Sequence, residues 1–214
     1  MNPNHCLSVQ SDFSIGKSLL QVDHIVDKAK ELGYESVVLC DEMSLHAMVD
    51  FTNKAKKAGI RPIIGCRVKV YNDAYYRKPA KATGIKETPN PFFTLKVYPT
   101  SDLGLKSLLR LLSKANTADC FYYNARSDMD QILAMQDVII STGDFYNVFH
   151  HPDHMDVVRR LQERFGRNSV FVEMVPIDTP LFDTLNAKAA NCSTALSAPI
   201  RSATPLPVLR ALSR

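Results

Sequence analysis

The chain has 214 residues, 45% of them hydrophobic and 22% charged, with a formal net charge of +4. That length and apolar fraction suit one sizeable domain with its own core and exclude a disordered chain. No apolar run approaches the roughly 20 residues of a membrane span, and the start Met-Asn-Pro-Asn-His-Cys is unlike a signal peptide, so a cytoplasmic protein with no membrane contact is expected.

In chain order, short β-branched runs alternate with amphipathic segments, the pattern of an α/β protein. Residues 6–10 read as a first strand. Residues 22–31 read as a helix, because Val22, Ile25, Val26 and Ala29 make an apolar stripe that Gly33 terminates. Residues 36–40 are a near-continuous apolar strand, 45–57 a helix stopped by Gly59, and 60–71 a third strand whose outer part alternates as Arg67-Val68-Lys69-Val70.

Residues 72–91 hold prolines, lysines and tyrosines and are read as a long exposed basic loop. A strand over 92–98 and a helix over 102–114 follow, then a short helix at 131–135 and a strand at 138–141. Pro152 is placed at the first position of a helix running to Phe165, with Gly166 as its stop. A strand at 170–175, a helix at 181–196, a strand at 199–202 and a tail over 203–214 complete the chain. About seven β/α units without a Gly/Ser linker predict a single domain. Its site belongs at the carboxyl ends of the strands.

Several motifs have ordinary readings. Five cysteines (Cys6, Cys40, Cys66, Cys120 and Cys192) lack CxxC spacing and read as small buried hydrophobes rather than a disulfide or zinc framework. His150-His-Pro-Asp-His154 looks like a ligand run but falls at a helix start, where an exposed polar turn is expected. Ser14-Ile-Gly-Lys-Ser18 lacks the earlier glycine of a phosphate-binding loop. The excess of Lys and Arg between Lys54 and Lys86 reads as a solvated surface able to make weak contact with DNA.

Two segments carry a family resemblance: Leu39-Cys-Asp-Glu-Met-Ser-Leu45 and Ala58-Gly-Ile-Arg-Pro-Ile-Ile-Gly-Cys-Arg67. They resemble the metal-site strands of the PHP domain that opens bacterial DNA polymerase III alpha subunits. There the first usually reads like Thr-Asp-His-Gly-Asn-Leu and the second ends Gly-x-Glu. Ser11-Asp-Phe-Ser14 and the helix segments around Gly33 and Gly59 are similar to the same family. The resemblance implies a distorted seven-stranded, TIM-like (β/α)7 barrel with a metal cluster at the strand ends.

Carried over one by one, the implied ligand positions have mostly lost their donors. They fall on Ser8 and Gln10, on Asp41 and Glu42, on Arg67, on Phe93 or Thr94, on Asp144, and on Pro205 and Pro207. Oxygen ligands survive only at Asp41, Glu42 and Asp144, a set for Mn²⁺ or Mg²⁺ rather than zinc. The expected arrangement is a salt-bridge cluster in which Arg67 neutralises those carboxylates in place of metal. The implied function is a catalytically inactive structural and interaction module in DNA replication, with a proofreading exonuclease or polymerase subunit as partner. The alternative is a divergent metal-dependent phosphoesterase or 3′–5′ exonuclease.

Overall fold

A computed structural model describes residues 5–78, 90–143, 145–175, 177–196 and 200–202, with the backbone alone at 5–7 and 200–202. Seven strands run in the order they occur in the chain: β1 (His5–Val9), β2 (Ser36–Glu42), β3 (Arg61–Tyr71), β4 (Phe92–Pro99), β5 (Val138–Ser141), β6 (Val170–Met174) and β7 (Ile200–Ser202). Helices α1 (Val22–Glu31), α2 (Met48–Lys57), α3 (Asp102–Ala115), α4 (Met129–Leu133), α5 (His154–Phe165) and α6 (Pro180–Leu196) connect them.

The expected α/β class is found, with one departure from uniform β/α repetition. β4 is antiparallel to both β3 and β5, whereas β1–β2–β3 and β5–β6–β7 pair in parallel. A parallel partner needs a crossover, usually helical. No helix separates β3 from β4 among the described residues, so the chain simply returns. Pairing is unbroken from β1 to β7, and no pair joins β7 to β1 among the described residues. The sheet is nevertheless curled, because side chains two strands apart meet on one face: Arg67 with Ser8, and Lys96 with Glu173.

The strands' two-residue period sorts the faces. On the convex face, Val37 and Leu39 pack with Ile25, Val26 and Phe51 of α1 and α2. Val68, Leu95, Val97, Ile140 and Val172 pack with Leu108, Leu161 and Leu185 of α3, α5 and α6. Each fully buried aliphatic side chain of this kind contributes about 1.5–3 kcal/mol. The concave face carries Gly65 in close approach to Tyr98. A Cβ at Gly65 would lie 2.6 Å from that ring, so the ring occupies the space a side chain would need.

Several boundaries shift for local reasons. Residues 45–47 are not helical; Ser44 Oγ accepts from the His46 amide, and the turn delays α2 to Met48. Pro152 is not the first helical residue, because the 3₁₀ turn Val148–His150 comes first and α5 starts at His154 with Asp153 before it. The short helix begins earlier than expected because Asp128 caps it through the Gln131 amide, 2.9 Å away. The first part of the expected exposed loop is anchored: Ala74 is fully buried, and Arg77 donates to the carbonyls of Ala118, Asp119 and Phe121. The rest of that loop, residues 79–89, lies outside the described residues, as does the tail 203–214.

Candidate functional site

The strand alternation splits the expected carboxylate set. Asp41 and Glu42 are consecutive on β2 and therefore point to opposite faces. Asp41 is buried on the convex side and accepts three hydrogen bonds: from the Ser11 amide (2.7 Å), Ser11 Oγ (2.7 Å) and Ser14 Oγ (2.7 Å). Ser14 Oγ in turn accepts from the Glu42 amide at 3.0 Å. A carboxylate whose lone pairs are taken by amide and hydroxyl donors is a loop anchor. The segment Ser11–Ser14 is thereby tied to the end of β2.

Glu42, on the concave side, pairs with Lys69 at 2.7 Å. Arg67 donates through Nε to the Cys40 carbonyl (3.3 Å) and through Nη2 to Ser8 Oγ (3.0 Å), so its fork ties β3 to β2 and β1. Of the expected cluster of Arg67 with Asp41, Glu42 and Asp144, Asp41 is held instead by a serine cradle and Glu42 by a lysine. Asp144, Pro205 and Pro207 lie outside the described residues. Gln10 follows β1 and its carbonyl accepts from Ser18 Oγ, and Thr94 is buried on β4. Phe93 belongs to the hydrophobic core on the convex face.

The concave face holds a polar row that runs from Glu42 and Arg67 to residues the family positions do not mark. Register places Glu42 beside Arg67, Arg67 beside Lys96, and Lys96 beside Ser141. Lys96 is buried, and its Nζ lies 2.5 Å from Glu173 Oε1, while Ser141 Oγ donates to Glu173 Oε2 at 2.6 Å. The Glu173 amide donates to Thr142 Oγ1 at 2.9 Å. Among the described residues, three cations (Arg67, Lys69 and Lys96) therefore share this face with two acids, Glu42 and Glu173. The available signal was a charged residue at alternate positions of an otherwise apolar strand: Arg67-x-Lys69, Lys96 after Leu95, and Glu173 after Val172.

These residues do not fit a metal cluster. Among the described residues no three His, Cys, Asp or Glu side chains converge to hold an ion. Ser8 and Gln10 are neutral, and the face around Glu42 is already occupied by ammonium and guanidinium groups, which repel a cation. The cysteines do not help. Cys40, Cys66, Cys120 and Cys192 are buried; burial pushes the Cys66 thiol well up and that of Cys192 up to about 11. The histidine run is spent locally: His150 meets the Phe145 carbonyl, His151 meets Asn72 and His154 meets the His151 carbonyl.

Strand-end placement of the site, helices on one face of a curled sheet and the Asp41-Glu42 corner define a class. The PHP domain family matches residues 7–176, and the chain belongs to it. Among curated relatives, the DNA polymerase III alpha subunit of Yersinia pestis is 25% identical over 199 residues, covering 89% of this chain and 17% of that protein. The alpha subunit of Borreliella burgdorferi is 31% identical over 138 residues, covering 64% of this chain and 11% of that protein. The chain therefore spans a small fraction of the relatives it matches.

Among solved structures, a protein from Bifidobacterium adolescentis, assigned provisionally as a metal-dependent phosphoesterase, superposes with a TM-score of 0.60 at 7% identity, covering 92% of this chain and 85% of that one. A two-domain protein from Bacteroides vulgatus with a PHP-like phosphoesterase domain, also so assigned by prediction, gives 0.50 at 13% identity over 96% of this chain and 53% of that one. At such identities the likeness is one of fold. No described helix is long and apolar enough to cross a membrane.

Proposed function

We propose that this chain acts as a non-catalytic protein-interaction module of the polymerase III alpha type in DNA replication, with side-chain ion pairs holding the interior where active relatives place metal ions. The sheet is read as closing into a distorted seven-stranded barrel, which would enclose the polar row. The reading rests above all on Asp41. A surviving family ligand position is consumed in anchoring the loop after β1, and that loop then presents Phe13 (47% exposed), Ile15 (90%) and Leu19 (94%) to solvent. Large apolar side chains held outward by a fixed base suit docking to another protein. A proofreading exonuclease or a polymerase subunit is the partner that the alpha-subunit relationship favours, with weak DNA contact secondary.

The test pairs two measurements. Purified protein incubated with Mn²⁺, Mg²⁺ or Zn²⁺ and desalted is expected to retain far less than one ion per chain and to leave a generic phosphodiester intact. Tagged protein is expected to co-purify a replication subunit from its native host, and to lose it on Ile15→Ser/Leu19→Ser. Stoichiometric metal together with hydrolysis abolished by Glu42→Gln would replace this reading with the phosphoesterase or exonuclease one.

A further inference from the structure

A cavity of about 600 Å³ opens between the end of β3, the start of α4 and the start of α5. Its size suits the burial of a side chain or small group. Tyr71 and Phe93, both buried, and Val157 line it from the core side. Around them stand Asp73, Asp128, Asp130, Asp153 and Asp156, with Arg160 as the one lining guanidinium. Five carboxylates against one guanidinium is the reverse of the chain's overall charge of +4.

Helix starts attract acids for their own reasons, and Asp128 is explained that way because it caps α4. Asp130 and Asp156, in the first turns of α4 and α5, share that explanation, whereas Asp153 and Asp73 do not. Asp153 precedes α5 yet makes no side-chain cap, and Asp73 lies on no helix, its carboxylate turned to the Tyr75 amide. Asp130 holds Arg160 at 3.5 Å and Asp156 pairs with Arg159, which leaves the balance negative. A metal ion does not suit this cavity, since no three of its acids converge on one point. Dispersed negative charge above an apolar floor instead suits an extended cation with a hydrocarbon stem. The chain makes such contacts itself nearby, where the Arg126 guanidinium sits 4.8 Å from the centre of the Tyr71 ring.

From this geometry we infer that the cavity is a docking site for a basic segment of a partner protein, with an arginine or lysine stem on Tyr71, Phe93 and Val157 and its head among Asp73, Asp130 and Asp153. The inference rests on the reading of the chain as an interaction module and adds the partner's chemistry: basic, with apolar neighbours.

The probe is a fluorescein-labelled peptide of alternating arginine and leucine, titrated against the full chain at 150 mM salt and followed by anisotropy. Saturable binding is expected, about ten-fold weaker in Asp73→Asn/Asp153→Asn, whose melting temperature verifies the fold. Asp23→Asn/Asp50→Asn removes the same charge from α1 and α2 and is expected to leave affinity unchanged. Equal loss in both variants, no loss in the first, or displacement of the peptide by spermidine at equal concentration would each overturn the site. A failed host pull-down with intact peptide binding would strike only the replication partner. The converse would strike only this cavity.

Discussion

A single aspartate anchors the loop after β1. Asp41 sits where the family resemblance implies a metal ligand, and both its oxygens are spent on Ser11 and Ser14. Hydrogen bonds to an ionised acceptor contribute about 1.5–3 kcal/mol each, and removing the acceptor strands buried donors. Asp41→Ala is therefore expected to cost about 3 kcal/mol or more in urea-induced unfolding. It should also speed tryptic cleavage after Lys17, in the loop the carboxylate holds. Asp41→Asn keeps one oxygen and is expected to fall between the two. A variant of unchanged stability and unchanged cleavage would show that the serine cradle contributes nothing.

Between elements, the buried contact of Lys96 on β4 with Glu173 on β6 spans the strand between them. Both side chains are almost fully withdrawn from water, at 2% and 8% exposure. Breaking such a pair leaves a lone buried charge and costs about 3–5 kcal/mol, whereas replacing both partners by apolar groups can cost little. Lys96→Met and Glu173→Leu are each expected to lower the urea midpoint strongly, and the double variant to recover much of the loss. Simple addition of the two single losses would show that the groups do not act as a pair.

The same elements mark what the sequence made legible. α1 was readable because Val22, Ile25, Val26 and Ala29 repeat at helical spacing, and all four are buried. The segment before α2 was not, because the turn depends on the Ser44 hydroxyl meeting His46. The antiparallel course of β4 has no local signature, since a strand reads alike in either direction. Of the site, Asp41, Glu42 and Arg67 were found by resemblance, but their faces were not. Lys96 and Glu173 look like surface charges until pairing places them on the concave side.

Across the whole molecule the core falls into two unequal parts. A smaller cluster joins β1, α1, β2 and α2 around Phe51; a larger one joins β3 to β6 with α3, α5 and α6. They meet along β2 and β3, which pair in continuous register from Ser36–Arg61 to Glu42–Arg67. Arg67 reinforces that seam by reaching Ser8 and the Cys40 carbonyl. Regions with less buried apolar surface open first, as cooperative units. Native-state hydrogen exchange should therefore show the amides of α1 and α2 exchanging together at a lower opening free energy than those of β4 and β5. Arg67→Met should lower the first opening more than the second, because it loosens the seam and leaves the larger core's packing alone. Equal opening energies for both halves, unchanged by Arg67→Met, would mean that the two clusters unfold as one.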